Sequence, residues 1–330
     1  MNFVPILAIV FALVIDITLG EPRNKYHPTV WMGTLVGKLV PLTRSTSQKL
    51  EKINGVILVI SLTAFISILV VVFESGLQQL ESIDFICLSK ILATIFVILS
   101  VGLLLKTTIA IKGMEQHACK IMEAVSRNDL NDARAKLSMI VKRNTKDLDR
   151  EHIISATLES ISENTVDGIT GPLFYFAIFG LVGSFVYRTI NTMDSMIGYK
   201  TDLFRNLGWF GANCDKVLNF VPSRLTSLIM VLACMSMGGN WRHSLAVMKR
   251  DGHKTESPNA GYPMATMAGA LGVRFEKVDH YALGDELSEI TDNHVKTAIS
   301  IMRITTILFV VLFTIPIIVI LSYLGWWTFV

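Results

Sequence analysis

The chain has 330 residues, 51% of them hydrophobic and only 17% charged, with a formal net charge of +3 and a mean hydropathy of +0.50. Soluble domains carry charge on roughly a quarter of their residues, so this composition places the chain among proteins that cross a membrane several times. The small net charge gives no support to a nucleic-acid partner. The scattered thiols Cys87, Cys119, Cys214 and Cys234 match neither a disulfide framework nor a zinc site.

Residues 2–20 form an apolar run broken only by Asp16. Without a positive leader or a small-residue cleavage site it reads as a retained helix, and an acidic residue near a membrane boundary is a functional suspect. Gly20-Glu21-Pro22, His27-Pro28 and Trp31-Met32-Gly33 follow, a pattern that predicts a bent loop carrying Glu21 and His27 towards a site. A structural role for His27 is the plainer alternative.

Residues 56–73 and 85–111 are the next runs long enough to span a bilayer. The connector 74–84 holds Glu74, Glu81 and Asp84 and no Lys or Arg, whereas 21–55 and 112–152 are rich in basic residues. The bias of basic loops for the cytoplasm puts those two loops inside, and 74–84 and the N-terminus outside.

Residues 112–152 read as a soluble helical hairpin broken at Asn128-Asp129, with apolar stripes Met114, Ala118, Ile121, Met122, Val125 and Ala133, Leu137, Ile140, Val141. A third helix over about 149–167 sets His152, Ser155, Glu159 and Glu163 on one face and Ile153, Ile154, Leu158 and Ile161 on the other. At successive four-residue steps Glu159, Glu163 and Asp167 stack along one helix side, where like charges repel unless a cation lies between them. Magnesium, which takes one or two carboxylates together with substrate phosphates, suits such a cluster. A solvated acidic helix end is the alternative.

Runs 169–187 and 217–237 each have the length of a crossing, which would leave 188–216 outside and 238–300 inside. Yet 188–216 carries Arg188, Asn191, Asp194, Lys200 and Arg205, a polar set that reads as a continuation of the site. Re-entrant or tilted hairpins would resolve the conflict, and we expect one shared cytoplasmic site. In 238–300, Ser257-Pro258-Asn259-Ala260-Gly261-Tyr262-Pro263 feeds the small-residue segment Met264–Gly272. Such a turn suits a phosphate at a helix start, and the small residues suit either a flat ligand or a tightly packed neighbour. A last spanning helix over 301–327 ends in Trp326-Trp327. The fold expected is thus an all-α polytopic membrane protein with about four to six transmembrane helices, re-entrant segments among them, and cytoplasmic amphipathic helices. One integral membrane domain covers 1–330, with a cytoplasmic helical insertion at 112–168 and a cytoplasmic helical loop region at 238–300.

Several long stretches, taken in order, resemble the adenosylcobinamide-phosphate synthases of the CobD/CbiB family. They are Asp16 with Gly20-Glu21-Pro22, His27-Pro28 and Trp31-Met32-Gly33, then Glu159-Ser160 and Glu163-Asn164-Thr165-Val166-Asp167-Gly168, and Tyr187-Arg188 running to Lys200. The resemblance continues through Asn219, Pro222-Ser223-Arg224-Leu225-Thr226, Arg250-Asp251, Ser257 to Gly261, and Met267 to Gly272. The chain departs from that pattern at Asn144, at Asn213 and its neighbours, and at Met264.

The resemblance implies ATP-dependent amide ligation of adenosylcobyric acid with (R)-1-aminopropan-2-ol O-phosphate, or a related aminoalcohol phosphate, giving adenosylcobinamide phosphate in cobalamin biosynthesis. It implies Mg²⁺ as cofactor and ATP as co-substrate, a cell-membrane location with the site facing the cytoplasm, and other late-pathway membrane enzymes as candidate partners. Carried onto these residues, Glu159, Glu163, Asp167 and Asp194 become candidate metal ligands, with Glu163, Asp194, Glu21 and His27 as candidate catalytic groups. Arg188, Asn191, Lys200, Arg224, Ser257, Asn259 and Asn164 become candidate substrate contacts. Interfacial snorkelling is the alternative for Arg188, Lys200 and Arg224. No GxxxxGK[ST] stretch marks a nucleotide, so a membrane Mg²⁺-dependent phosphotransferase acting on a nucleotide-activated alcohol stays open, as does a non-catalytic transport or scaffold protein.

Overall fold

The computed structural model describes residues 3–82, 87–141, 143–199 and 201–326, so Lys200, Asp84 and Trp327 lie outside the described residues. The helices, in chain order, are α1 (Val4–Leu19), α2 (Pro28–Thr43), α3 (Gln48–Ser82), α4 (Cys87–Lys106), α5 (Ile111–Ser126), α6 (Leu130–Leu137) and α7 (Arg150–Thr165). After a π-helical turn, Val166–Thr170, come α8 (Gly171–Ile197), α9 (Trp209–Leu218), α10 (Phe220–Ser236), α11 (Trp241–Asp251) and α12 (Gly261–Leu271). The short antiparallel strands β1 (Phe275–Lys277) and β2 (Tyr281–Leu283) pair Glu276 with Ala282. Then follow α13 (Asp292–Phe309), a second π turn (Val310–Thr314) and α14 (Ile315–Tyr323).

The protein is an all-α polytopic membrane protein, 76% helical. Among the described residues, Gln48–Gln79, Lys90–Ser126, Arg150–Ile197 and Asp292–Tyr323 are long and apolar enough to cross a bilayer, with a fifth if Trp209–Leu218 and Phe220–Ser236 count as one span. Ile57, Ile60, Phe65, Ile68 and Val72 of α3 are exposed, as expected of a helix that turns one side to lipid. The chain divides into two compact units, Met1–Ala110 with Gly171–Leu218 and Leu312–Val330, and Ile111–Thr170 with Asn219–Val311.

In the first unit α1 packs along α4, where a Cβ at Gly102 would lie 2.7 Å from the Phe11 ring. The core of α2, α3 and the end of α8 gathers Val36, Leu58, Val59, Leu62, Ile190, Met193, Ile197 and Leu207. Three expectations change here. Residues 28–43 are helical, because Pro28 sits at the first helical position and His27 caps it. The connector placed at 74–84 begins later, since α3 continues through Glu74 to Ser82.

The third change concerns 169–187, which is not one straight crossing. Gly180 has φ 65 and ψ −154, a backbone region open essentially to glycine alone, and there α8 turns back on itself. Along a straight helix Tyr175 and Tyr187 would stand about 18 Å apart at 1.5 Å per residue; their rings stack with centroids 5.3 Å apart. Likewise a Cβ at Gly171 would run into the Tyr187 ring, and one at Gly183 would lie 2.7 Å from Phe179 Cβ. α8 is therefore a helical hairpin, with arms 171–179 and 181–197.

The second arm ends beside the α2–α3 connection. Arg44 donates to the Leu203 carbonyl, Gly55 packs on the Leu207 backbone, and Lys52 lies 5.6 Å from the Trp209 ring. Residues 201–208 thus share an end of the first unit with 44–55, which carry the basic residues Arg44, Lys49 and Lys52. A straight passage through 169–187 would have sent 188–216 to the opposite end.

In the second unit α5 and α6 form the expected hairpin, with Asn128 at φ 55 and Asp129 capping α6 through Asp132 N–H at 3.0 Å. α7 starts on its Asp149 cap, but the middle of its polar face does not meet water. Ser155 and Glu159 are buried, because β1 and β2 cover them. The small residues of α12 serve a packed neighbour: a Cβ at Gly269 would lie 2.8 Å from Ser244 Cα on α11. The segments 112–168 and 238–300 both belong to this second unit.

Candidate functional site

The expected carboxylate row divides into different jobs. Glu159 is 5% exposed and accepts hydrogen bonds from Arg143 Nη2 at 2.9 Å, Ser155 Oγ at 3.0 Å and the Tyr281 phenol at 2.6 Å. Ser155 Oγ in turn accepts the Glu276 N–H at 3.0 Å. Burial, reinforced by the Glu159 charge, pushes the Tyr281 phenol well above its usual range, so Tyr281 stays a neutral donor. With both oxygens occupied and an arginine supplying the opposite charge, Glu159 ties the strand pair to α7. This geometry fits a structural ion pair and does not fit a magnesium ligand, a correction to the reading of 159, 163 and 167 as one row. The π turn reinforces the split, because it begins at Val166 and carries Asp167 out of the regular helix.

Glu163 is exposed and Asp167 half-buried, so these are the carboxylates of the α7 end that face outward. Among the described residues no group of three or more His, Cys, Asp or Glu side chains is arranged to hold a metal. Asn164 turns back onto its own helix, donating to Ser160 O at 2.9 Å.

The expected substrate contacts Arg224, Asn259 and Ser257 come together in the second unit. The Arg224 guanidinium lies 3.6 Å from the Phe220 ring centroid and 4.4 Å from that of Tyr262. It donates to Asn259 Oδ1 at 3.1 Å and to Pro258 O at 3.4 Å. Ser257 Oγ accepts from the N–H groups of Asn259 and Ala260, both at 3.4 Å. A planar cation held between two rings beside the start of α12 is a rigid donor set for an anionic group.

Sequence reasoning missed the neighbouring network. Asp251 is fully buried and accepts from Arg250 Nε at 2.8 Å and Nη2 at 2.7 Å, from Gly284 N at 2.9 Å, and pairs with Lys254 at 2.6 Å. Burial opposes its ionisation, but Arg250, Lys254 and the Gly284 N–H outweigh this and hold its carboxyl well below the usual range. Asp285 joins Arg250 at 3.0 Å and His243 at 3.0 Å. Together these pairs fasten α11 to the end of β2.

In the first unit Glu21 and His27 pair, His27 Nε2 lying 2.8 Å from Glu21 Oε2. Thr29 N–H donates to His27 Nδ1 at 3.2 Å, so Nδ1 is an acceptor and the proton sits on Nε2, directed at Glu21. Lys106 at the end of α4 reaches Glu21 at 2.7 Å and the buried Asp16 at 3.2 Å. Burial raises the Glu21 pKa, but the hydrogen bond from His27 and the Lys106 charge prevail and leave it below the usual value. In this arrangement His27 donates and Glu21 is a weak base, so a proton-accepting role is disfavoured for both. The Lys106 signal was present in the sequence as a lysine inside an apolar run.

Arg188, Asn191 and Asp194 lie on the second arm of α8. Asn191 Nδ2 donates to Asp215 Oδ1 on α9 at 3.3 Å. Asp194 folds towards Gly198, where a Cβ would collide with its carboxylate.

Together these features define a helical membrane protein that carries buried polar networks and one aromatic-flanked arginine beside a helix start. Residues 9–321 match the model of the CobD/CbiB protein family. Relatives that carry CobD names include the following three. "Probable cobalamin biosynthesis protein CobD" of Methanothermobacter thermautotrophicus is 36% identical over 301 residues, 91% of this chain and 94% of that protein. The protein of the same name in Methanocaldococcus jannaschii is 36% identical over 305 residues, 92% and 95% of the two chains. "Cobalamin biosynthesis protein CobD" of Dehalococcoides mccartyi is 37% identical over 286 residues, 86% and 87%. No solved structure matches significantly. The chain belongs to the CobD/CbiB family of cobalamin biosynthesis proteins.

Proposed function

We propose that this chain is an ATP-dependent amide ligase that joins a propionate carboxylate of adenosylcobyric acid to the amine of (R)-1-aminopropan-2-ol O-phosphate, or a related aminoalcohol phosphate. Its product is adenosylcobinamide phosphate. The observation that carries this reading is the family match over 9–321, and the arginine set between Phe220 and Tyr262 beside Asn259 supports it as a seat for the aminoalcohol phosphate.

A carboxylate does not exchange oxygen for an amine until the oxygen is made a leaving group. Transfer of the ATP γ-phosphoryl group to it forms an acyl phosphate and ADP. The amine then attacks the carbonyl carbon, loses a proton, and expels inorganic phosphate. Phosphoryl transfer of this kind relies on positioning and charge neutralisation. Glu163 and Asp167 would hold nucleotide-bound Mg²⁺, whose chemistry is to neutralise phosphate charge. In the first unit Arg188 would neutralise phosphate oxygens, with Asn191 and Asp194 as polar contacts and Lys200 as a second cation. Glu21 and His27 act as orienting groups, in keeping with the tautomer that Thr29 imposes.

Purified protein given adenosylcobyric acid, the aminoalcohol phosphate and MgATP is expected to form the amide and ADP in equal amounts, and Glu163→Ala to insert normally without turnover. Release of a nucleoside monophosphate from a nucleotide-activated alcohol would instead indicate a phosphotransferase. No turnover with either substrate set would indicate a transport or scaffold role.

A further inference from the structure

A helix broken inside an apolar segment leaves backbone groups without partners, and such a break persists only where something else satisfies them. The turn of α8 meets that requirement from two directions. The Glu74 carboxylate of α3 is hydrogen-bonded to the backbone of Leu181, the first residue of the second arm, and Glu74 is only 6% exposed. On the other side of Gly180, the Trp326 indole N–H donates to Ile178 O at 2.9 Å, and the same indole packs edge-on against Phe179 with centroids 6.5 Å apart. The donor freed by the break and the carbonyl just before it are thus held by side chains from separate segments.

The second arm is held again at its far end, where Ile190, Met193 and Ile197 pack on Leu58, Val59 and Leu62 of α3. Arg188, Asn191 and Asp194 lie on this arm, towards its packed end. A slip of one residue along a helix turns its face by about 100°, enough to swing this set away from its present direction. We propose that Glu74 is a positioning residue: its hydrogen bond to the Leu181 backbone fixes the register of the α8 second arm on α3, and so the direction of Arg188, Asn191 and Asp194. This rests on the ligase reading for its kinetic consequence, while the register itself does not depend on it. It also gives an acidic side chain within an apolar helix a task that needs neither a substrate nor a metal.

The test compares Glu74→Gln, which keeps an acceptor for the Leu181 N–H, with Glu74→Leu, which does not. Both are read in full-length protein in lipid nanodiscs, by ligation kinetics per inserted molecule and by pulsed electron paramagnetic resonance between spin labels at Val72 and Val182. Glu74→Leu is expected to lower kcat about tenfold or more, the effect of leaving one buried backbone donor without its acceptor, with KM for ATP little changed and the label distance broadened or shifted. Glu74→Gln is expected to stay within about threefold of wild type with an unchanged distance. An unchanged distance in Glu74→Leu, wild-type kcat in that variant, or equal loss in Glu74→Gln overturns the proposal. If Glu74→Leu does not accumulate, Trp326→Phe leaves a smaller aromatic ring against Phe179 and removes the indole N–H; it is expected to shift the distance in the same sense, and no shift counts against the clamp. The distance measurement needs no turnover, so an inactive wild type would refute the ligase reading and leave the register to be judged by the distances.

Discussion

Replacing Glu159 separates a structural carboxylate from a metal ligand. In Glu159→Ala the Arg143 side chain, 13% exposed beside a Glu159 side chain 7% exposed, keeps its charge without its partner, and the Tyr281 phenol loses its acceptor. Breaking one side of a buried pair costs about 3–5 kcal/mol, because the remaining ion has given up water and gained nothing. Putting methionine at both 143 and 159 removes both ions together and fills most of the space, so the double variant is expected to recover most of the loss, as paired apolar replacements often do. Denaturant unfolding of the detergent-purified protein, followed by tryptophan fluorescence with and without Mg²⁺, gives the comparison. A metal ligand would behave in the opposite way: Glu159→Ala would lose less than about 1 kcal/mol in the absence of Mg²⁺ and would raise the Mg²⁺ concentration needed for half-maximal turnover. That pair of results would refute the assignment of Glu159 to the Arg143–Tyr281 cluster.

Three further outcomes follow from the geometry. The Asp251 pKa is depressed on folding, so its contribution to stability is complete above the unfolded value of about 3.9 and fades as pH falls towards the lower folded value. Asp251→Asn is therefore expected to reduce stability at pH 6 and to flatten the fall below about pH 4, seen as a shallower slope of unfolding midpoint against pH. Arg224→Lys keeps the charge but loses the planar fork between Phe220 and Tyr262; KM for the aminoalcohol phosphate is expected to rise about tenfold with KM for ATP unchanged, and equal KM values would remove Arg224 from that seat. Single cysteines at Ser45 and Asp202 are expected to react with an impermeant maleimide from the same membrane side, as the Arg44–Leu203 contact requires; labelling from opposite sides would refute the α8 hairpin.

Much of this architecture was legible in the sequence because it is written in local periodicity and composition. Apolar runs announced α1, α3, α4 and α14, Asn128-Asp129 announced the break between α5 and α6, and the separate polar and apolar faces over 149–167 announced α7. Features that depend on distant partners were not legible. Tyr281 lies 122 residues from Glu159, and strands of three residues carry too little pattern to be told from loop. The α8 hairpin was offered only as a way out of a topology conflict, since hydropathy weighs Gly180 like any other small residue and is blind to a positive φ. Of the site, Arg224, Asn259 and Ser257 were candidates on the resemblance alone, and their association across 35 residues of chain was not legible. The acidic row misled because four-residue spacing assumes an uninterrupted α-helix with one solvated face, whereas a π turn and a strand pair alter both.

The oxygen that leaves the carboxylate tests the ligase account most directly. With adenosylcobyric acid carrying ¹⁸O in the reacting carboxylate, activation as an acyl phosphate predicts one labelled oxygen in inorganic phosphate for each amide formed, with ADP unlabelled. Label in AMP, or amide formed with unlabelled phosphate, would contradict it.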